Sequence, residues 1–447
     1  MTSAGDPVAF FREVAAAHPR CFWLDGGGAR EWSGRRSLIG WLEPDDVSIS
    51  YHASSRTVTR HEGGRSTVVG DDVFAVLAAE LAAGGPRDQW FGYLGYACRP
   101  DLPAALAASG HPGALPDGVW MRARHVRLFE HPAEAGPGAD AGRVPQAAPQ
   151  RGLRHTTDTT HTTGTTHTTG TTGTTGPPPA TYAAAFERVQ EELHAGNTYE
   201  VNLTYRLGTR SDLDPVTAYL RLRELNPAPY AGFLQHDVAD ARAWLLSSSP
   251  ERYALVTADR TLETKPIKGT TSRGASPEDD ERERHSLATD PRFTSENLMI
   301  VDLLRNDLAM VCEPGSVEVP ELMAVESYET VHQLVSTVRG RLADGVSTID
   351  ALRALFPAGS MTGAPKLRTM QVIEAVEDTA RGVYSGAFGW VCADGRADLG
   401  VVIRSLTTAG DGHYELGTGG GITVQSEVGL EHEESRVKAE RLLAVFD

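Results

Sequence analysis

Side chains able to do acid–base, metal or nucleophilic chemistry lie mostly in the second half of this 447-residue chain. Glu431 and Glu434 stand three apart in a helical stretch and Lys438 lies four beyond Glu434, so the two carboxylates share a face. Such a face is either a solvated ion pair or an edge for Mg²⁺, which takes one or two protein carboxylates and keeps waters for a substrate's oxygens. Glu296 heads the run Glu296-Asn297-Leu298-Met299-Ile300-Val301-Asp302-Leu303-Leu304, where an acid favours the helix dipole. The apolar residues after it mark a buried helix, which would hold the carboxylate rigidly if it faced a pocket. Arg404, inside Val401-Val402-Ile403-Arg404-Ser405-Leu406, is a charge in an apolar strand and calls for a carboxylate from protein or ligand.

Three further segments are suited to polar ligands. Gly417-Thr418-Gly419-Gly420-Gly421-Ile422 either bares backbone N–H groups toward an anion or forms a flexible turn. It is not a GxGxxG fingerprint opening a helix, so dinucleotide binding is not expected. Phe356 to Lys366, with Ser360 and Thr362, feeds small and hydroxyl residues into a helix N-terminus, as a ligand loop or as a plain connection. Lys268, between Pro266 and Gly269 after a short strand, is by position alone an ordinary loop lysine. It gains chemistry only in a special environment.

The elements that must position these groups follow from periodicity and caps. Val8–Ala17 and Asp72–Ala83 read as helices, and 21–24, 47–51 and 57–59 as strands. The Trp90-Phe91-Gly92-Tyr93-Leu94-Gly95-Tyr96 run suggests a strand whose backbone is closely approached. Tyr182–His194 reads as a helix closed by Gly196, and Asp214-Pro215 caps another helix reaching about Leu225. Strands are expected at 199–206, 230–234, 243–247, 252–257, 332–339, 383–392, 397–407 and 414–417, with Asp394-Gly395 and Asp411-Gly412 as hairpin turns. Helices are expected at 296–308, 348–355, 366–376 and 431–446. The fold class is α+β, with large, mainly antiparallel sheets flanked by helices.

From 131 to 179 the periodicity vanishes into a Thr/His/Gly/Pro-rich stretch, read as a disordered linker between an amino-terminal α+β region, 1–130, and a second region, 180–447, which the resemblance below makes the catalytic domain. The histidines at 155, 161 and 167 offer no preformed metal cage. A net charge of −17 without clustered Lys and Arg argues against nucleic-acid binding, so an anionic substrate needs a local cationic pocket or a metal. Cys21, Cys98, Cys312 and Cys392 are widely spaced, as expected of free thiols in the cytoplasm. No signal-peptide pattern and no apolar run of about 18 residues is present, so membrane insertion is not expected.

Taken together and in order, Ser248-Ser249-Pro250-Glu251-Arg252, 266–273, 296–307, 356–366, Arg381-Gly382-Val383-Tyr384-Ser385-Gly386, 417–422 and 431–438 resemble the chorismate-utilising family, over about Trp23 to Asp447 outside the linker. That family includes anthranilate, aminodeoxychorismate, isochorismate and salicylate synthases. The resemblance implies a β-sandwich-like core wrapped by helices. It implies Mg²⁺ on Glu296 and Glu434, with Glu431 reaching a metal-bound water. It places Thr270, Ser360, Thr362, Tyr384, Arg404, the Gly419-Gly420 backbone and Lys438 around chorismate, with Thr362 facing the ring. Relatives that add water carry a lysine base where this chain has Glu200, and lysine at 268 is typical of the aminodeoxychorismate synthases, whereas anthranilate synthases usually have alanine there. The implied chemistry is a covalent Lys268 adduct, with Glu251 as general acid and burial plus Mg²⁺ keeping the amine neutral. The implied product, 4-amino-4-deoxychorismate, feeds para-aminobenzoate and folate or an aminated antibiotic precursor. No Gly-x-Cys-x-Gly-His-Gln segment occurs, so a separate glutamine amidotransferase is the expected ammonia source. The alternatives are an anthranilate synthase component I and, in another class, a noncatalytic amino-acid-sensing subunit. Phe293 stands where the family often has an acid, and Glu200 where it commonly has glutamine.

Overall fold

In a computed structural model the described residues are 5–26, 36–107, 115–131, 177–328 and 331–447. The expected linker falls outside them over 132–176. Two large antiparallel sheets, of nine and twelve strands, pack face to face. Amino-terminal strands run into both. Arg20–Asp25 pairs with Tyr230–His236 in the nine-stranded sheet, and Gln89–Leu94 pairs with Ala387–Cys392 in the twelve-stranded one.

Apolar side chains alternate inward on these strands, and residues of both sheets meet in one layer where Phe22 stacks on Phe91 with centroids 3.9 Å apart. Glycines let the sheets approach. A Cβ on Gly232 would lie 2.5 Å from the Phe388 ring, and one on Gly400 2.5 Å from Tyr230. Helices Val73–Ala83, Pro291–Ala309 and Thr348–Leu355 cover the outer face of the larger sheet, while Pro7–Ala17, Pro215–Leu225 and Val428–Leu443 cover the smaller. Asp214 caps its helix through Thr217 N, with Pro215 at the first position, as its sequence predicts.

Three expected elements differ, and each difference shapes the cleft. The 397–407 run is two strands in two sheets, Ala397–Val401 and Ser405–Thr408. The chain crosses between them at Arg404, whose φ of +51° is left-handed, so the guanidinium leaves a strand end rather than a strand middle. The 383–392 run becomes a strand only at Ala387, because Gly382 and Ser385 take φ of +56° and +65° in a turn. The glycine run is neither turn nor nest: His413–Ile422 pairs with Glu200–Arg210 along its whole length. Lys268 also lies on a strand, Ile267–Ser272, at one edge of the twelve-stranded sheet.

Candidate active site

The cleft, of about 150 Å³, opens where the two sheets end side by side. One wall is the edge strand Ile267–Ser272; the opposite wall is built by Asn202 of the strand Glu200–Arg210, the glycine strand, and Ser360 and Met361. Helices Pro291–Ala309 and Val428–Leu443 contribute acidic side chains to the rim.

Lys268 owes its aim to an irregularity. The pairing of its strand shifts register between Ile267 and Thr270, with Gly269 at φ +90°, so this segment bulges and its side chains are re-aimed. Leu287 and Phe293 fill the space over Gly269, each 2.9 Å from where a Cβ would stand. Phe293, unusual by its resemblance, therefore packs the bulge. Lys268 is buried and its Nζ donates to Glu200 Oε1, with Glu200 fully buried in turn. The amine is not neutralised by burial. Burial lowers its pKa, but Glu200 and Glu296, then the hydrogen bond to Glu200 and the charge of Glu251, outweigh this and raise it. The depression expected from burial is thus opposed, chiefly by Glu200 and Glu296.

Glu251 is held differently. It is buried after the strand Ala243–Ser249, and Ser360 Oγ donates to its Oε1 at 2.6 Å. Burial pushes its pKa up to about 7, with the Ser360 hydrogen bond and the Lys268 charge pulling the other way. A carboxyl that keeps its proton near neutrality can act as a general acid. The 356–366 loop that delivers Ser360 is clamped by Arg381, whose guanidinium donates to Met361 O at 2.5 Å, Asn202 O at 2.7 Å and Glu377 Oε1 at 2.7 Å. Asn202 adds a bond from Nδ2 to Ser360 O at 2.7 Å.

The acidic rim joins the groups expected to share a metal. Glu296 stands in the second turn of Pro291–Ala309, which Asp290 caps, so Glu296 does not serve the helix end as its place in the apolar run suggested. Burial pushes it up to about 7, Lys268 pulls it down, and Glu200 and Glu431 push it further up. Glu431 is also raised, by burial first and then by Glu434 against a Ser426 hydrogen bond. Glu434 is lowered by Lys438, whose Nζ lies 2.8 Å from Oε1 and also donates to Gly419 O at 3.2 Å. Among the described residues no group of three or more His, Cys, Asp or Glu side chains forms a ready cage.

Across the cleft, Arg404 has no carboxylate at ion-pair distance among the described residues, and burial together with Arg441 lowers its pKa. Tyr384 lines the cleft with its ring against the Arg206 guanidinium at 4.4 Å. Thr270, Ser360, Gly419, Gly420 and Lys438 also line it. Thr362 does not: its hydroxyl turns back to Gly359 O at 3.1 Å, and Met361 takes the place at the wall. The 417–421 glycines serve by what they lack. A Cβ at 417 would stand 2.2 Å from the Tyr384 ring, and one at 421 would stand 2.3 Å from Glu200 Oε1 and 3.0 Å from Lys268 Nζ. Glu200, Asn202 and Arg381 are the residues that periodicity and spacing alone do not single out.

A buried lysine, a glutamate whose pKa burial raises, an acidic rim and Arg404 thus line one cleft. The profile for chorismate binding enzymes covers residues 19–444. The chain belongs to the chorismate-binding enzyme family. An aminodeoxychorismate synthase of Streptomyces pristinaespiralis is 40% identical over 99% of this chain and 64% of its own length, and one of Streptomyces griseus is 36% identical over 96% and 61%. The chain thus spans less than two thirds of the length of these relatives. The aminodeoxychorismate synthase component 1 of Klebsiella aerogenes is 42% identical over 59% of this chain and 57% of its own. Among solved structures, anthranilate synthase component I of Streptococcus pneumoniae shares the fold with a TM-score of 0.69 at 24% identity, covering 91% of this chain and 92% of that one. The menaquinone-specific isochorismate synthase MenF of Escherichia coli does so with 0.65 at 16%, covering 100% and 92%. The α+β sandwich is therefore that of the chorismate-binding enzymes. No helix among the described residues is long and apolar enough to cross a membrane.

Proposed function

We propose that this chorismate-binding enzyme is an aminodeoxychorismate synthase component I, making 4-amino-4-deoxychorismate from chorismate and ammonia. The observation that carries the reading is Lys268, buried at the cleft and within the same lining as Glu251. A lysine so placed is a nucleophile in a pocket rather than a solvated charge. Lys268 Nζ attacks ring C2, the double bonds shift, and the C4–O bond breaks as the Glu251 proton passes to the leaving hydroxyl, which departs as water. Ammonia then adds at C4, the double bonds shift back, and the C2–N bond to Lys268 breaks.

Arg404 supplies a cation for a substrate carboxylate, and Lys438, Thr270, Ser360, Tyr384, Gly419 and Gly420 hold and shape the rest. Glu296, Glu431 and Glu434 are the residues we assign to Mg²⁺. Their fit rests on an all-oxygen donor set and on the repulsion of Glu296 by Glu431 and of Glu431 by Glu434, which a divalent cation relieves. When bound, the ion supplies positive charge for a second substrate carboxylate. A glutamine amidotransferase is proposed as ammonia source, supported by relatives named component 1 and by the greater length of the Streptomyces relatives. The cytoplasm is the proposed location, consistent with four buried free cysteines.

Anthranilate synthase is the second reading, since one of Haloarcula marismortui is 35% identical over 80% of this chain and 75% of its own length. Incubation with chorismate, Mg²⁺ and an ammonium salt separates the two. The expected product is 4-amino-4-deoxychorismate; anthranilate with pyruvate release overturns the proposal.

A further inference from the structure

Lys268 enters the reaction as an amine but is ion-paired with Glu200 behind the cleft, and the proton of that pair needs a destination. Glu251 is occupied, because it brings a proton to the leaving hydroxyl and accepts one from Ser360 Oγ in hydrogen bonding. Glu296 and Glu434, on the two rim helices, face Lys268 by charge, yet among the described residues Glu200 alone stands at ion-pair distance from it. Glu200 is fully buried and only one of its oxygens is engaged. Oε2 has no hydrogen-bond partner among the described residues, so its lone pairs are open to a proton. Gly421 keeps the backbone clear of the pair, since a Cβ there would press on Glu200 Oε1 and Lys268 Nζ together.

We propose that Glu200 is a catalytic residue, the base that takes the Lys268 proton and so makes the nucleophile. The inference rests on the aminodeoxychorismate synthase reading. One proton passes from Lys268 Nζ to a Glu200 oxygen, leaving a neutral amine and a neutral carboxyl. The amine forms the C2–N bond, and hydroxide leaves C4 as water with the Glu251 proton. Ammonia forms the C4–N bond and the C2–N bond breaks, returning the pair of electrons to Lys268. The C4 ammonium gives one proton to Glu251, and Glu200 returns its own to Lys268. The sum is chorismate plus ammonia to 4-amino-4-deoxychorismate plus water, with each side chain restored.

Proton counting makes this testable. In the wild type the ion pair and its neutral tautomer hold the same number of protons, so activation needs no exchange with solvent. In Glu200→Gln the lysine must lose its proton to solvent. With ammonium as nitrogen source, the ratio of variant to wild-type kcat/KM for chorismate is measured between about pH 6 and about pH 9; it should rise about tenfold per pH unit below the pKa of the unpaired lysine. Taking the ratio cancels the ionisation of ammonia. Glu200→Asp retains an acceptor and should show a ratio independent of pH. A Glu200→Gln ratio near one throughout overturns the proposal, as does a Glu200→Asp ratio that slopes like the Gln one. If the wild type itself makes no 4-amino-4-deoxychorismate, the underlying reading fails and this assignment with it. Wild-type activity with an indifferent Glu200→Gln sinks the assignment alone.

Discussion

At the scale of single residues, three carboxyl groups in and behind one cleft meet different surroundings. Glu251 is buried with one hydroxyl donor, Glu200 is buried against an ammonium, and Glu434 is drawn to Lys438 at the rim. Glu251 offers a check that is independent of turnover. Its pKa in the folded protein, about 7, lies above the ordinary 4.5, so folding takes up a proton there. That contribution is complete below the ordinary value and is lost as pH rises through about 7, where the buried carboxylate must ionise. In metal-free protein, Glu251→Gln should therefore melt at a higher temperature than the wild type at pH 8, with the gap closing toward pH 5. The difference amounts to up to about 3 kcal/mol. An equal gap at both pH values would place the Glu251 proton elsewhere. The same substitution should lower amination by about a hundredfold or more, as loss of a general acid does.

At the scale of elements, the glycine strand His413–Ile422 is the part whose role changes most between sequence and structure. Its four glycines are compatible with a turn or an anion nest, and only pairing with Glu200–Arg210 decides between these and a strand. Cross-strand pairing joins residues more than 200 positions apart, which local pattern does not encode. Gly417→Ala should cost about 1–3 kcal/mol through overpacking on the Tyr384 ring and raise KM for chorismate, checked by denaturant unfolding and steady-state kinetics. A neutral effect on both would mean that Tyr384 yields without consequence. The helix beginning at Pro215 was legible because cap, proline and apolar spacing lie within a few residues. Ala397–Thr407 was not, since an unbroken apolar run carries no mark of a chain changing sheets. Lys268 was readable only through family resemblance, because what places it is a bulge and a glutamate 68 positions earlier.

At the scale of the whole molecule, both sheets are completed by strands from either end of the chain, and the layer between them takes side chains from both. Neither half holds a finished apolar layer. Denaturant unfolding should therefore follow one transition, with tryptophan fluorescence and far-UV circular dichroism coinciding. Trp23, Trp90 and Trp120 report from the amino-terminal strands and Trp244 and Trp390 from the later ones. Two separated transitions would show that the shared layer contributes little.

The cleft is bounded by one sheet at Lys268 and by the other at Asn202 and the glycine strand, with Arg404 on the chain segment passing between them. A small dianion gripped there is a rivet through two plates, and its fit depends on how far apart the plates stand. Gly232 and Gly400 set that gauge by admitting Phe388 and Tyr230 between the plates. Two residues that line no part of the cleft thus belong to its machining tolerance.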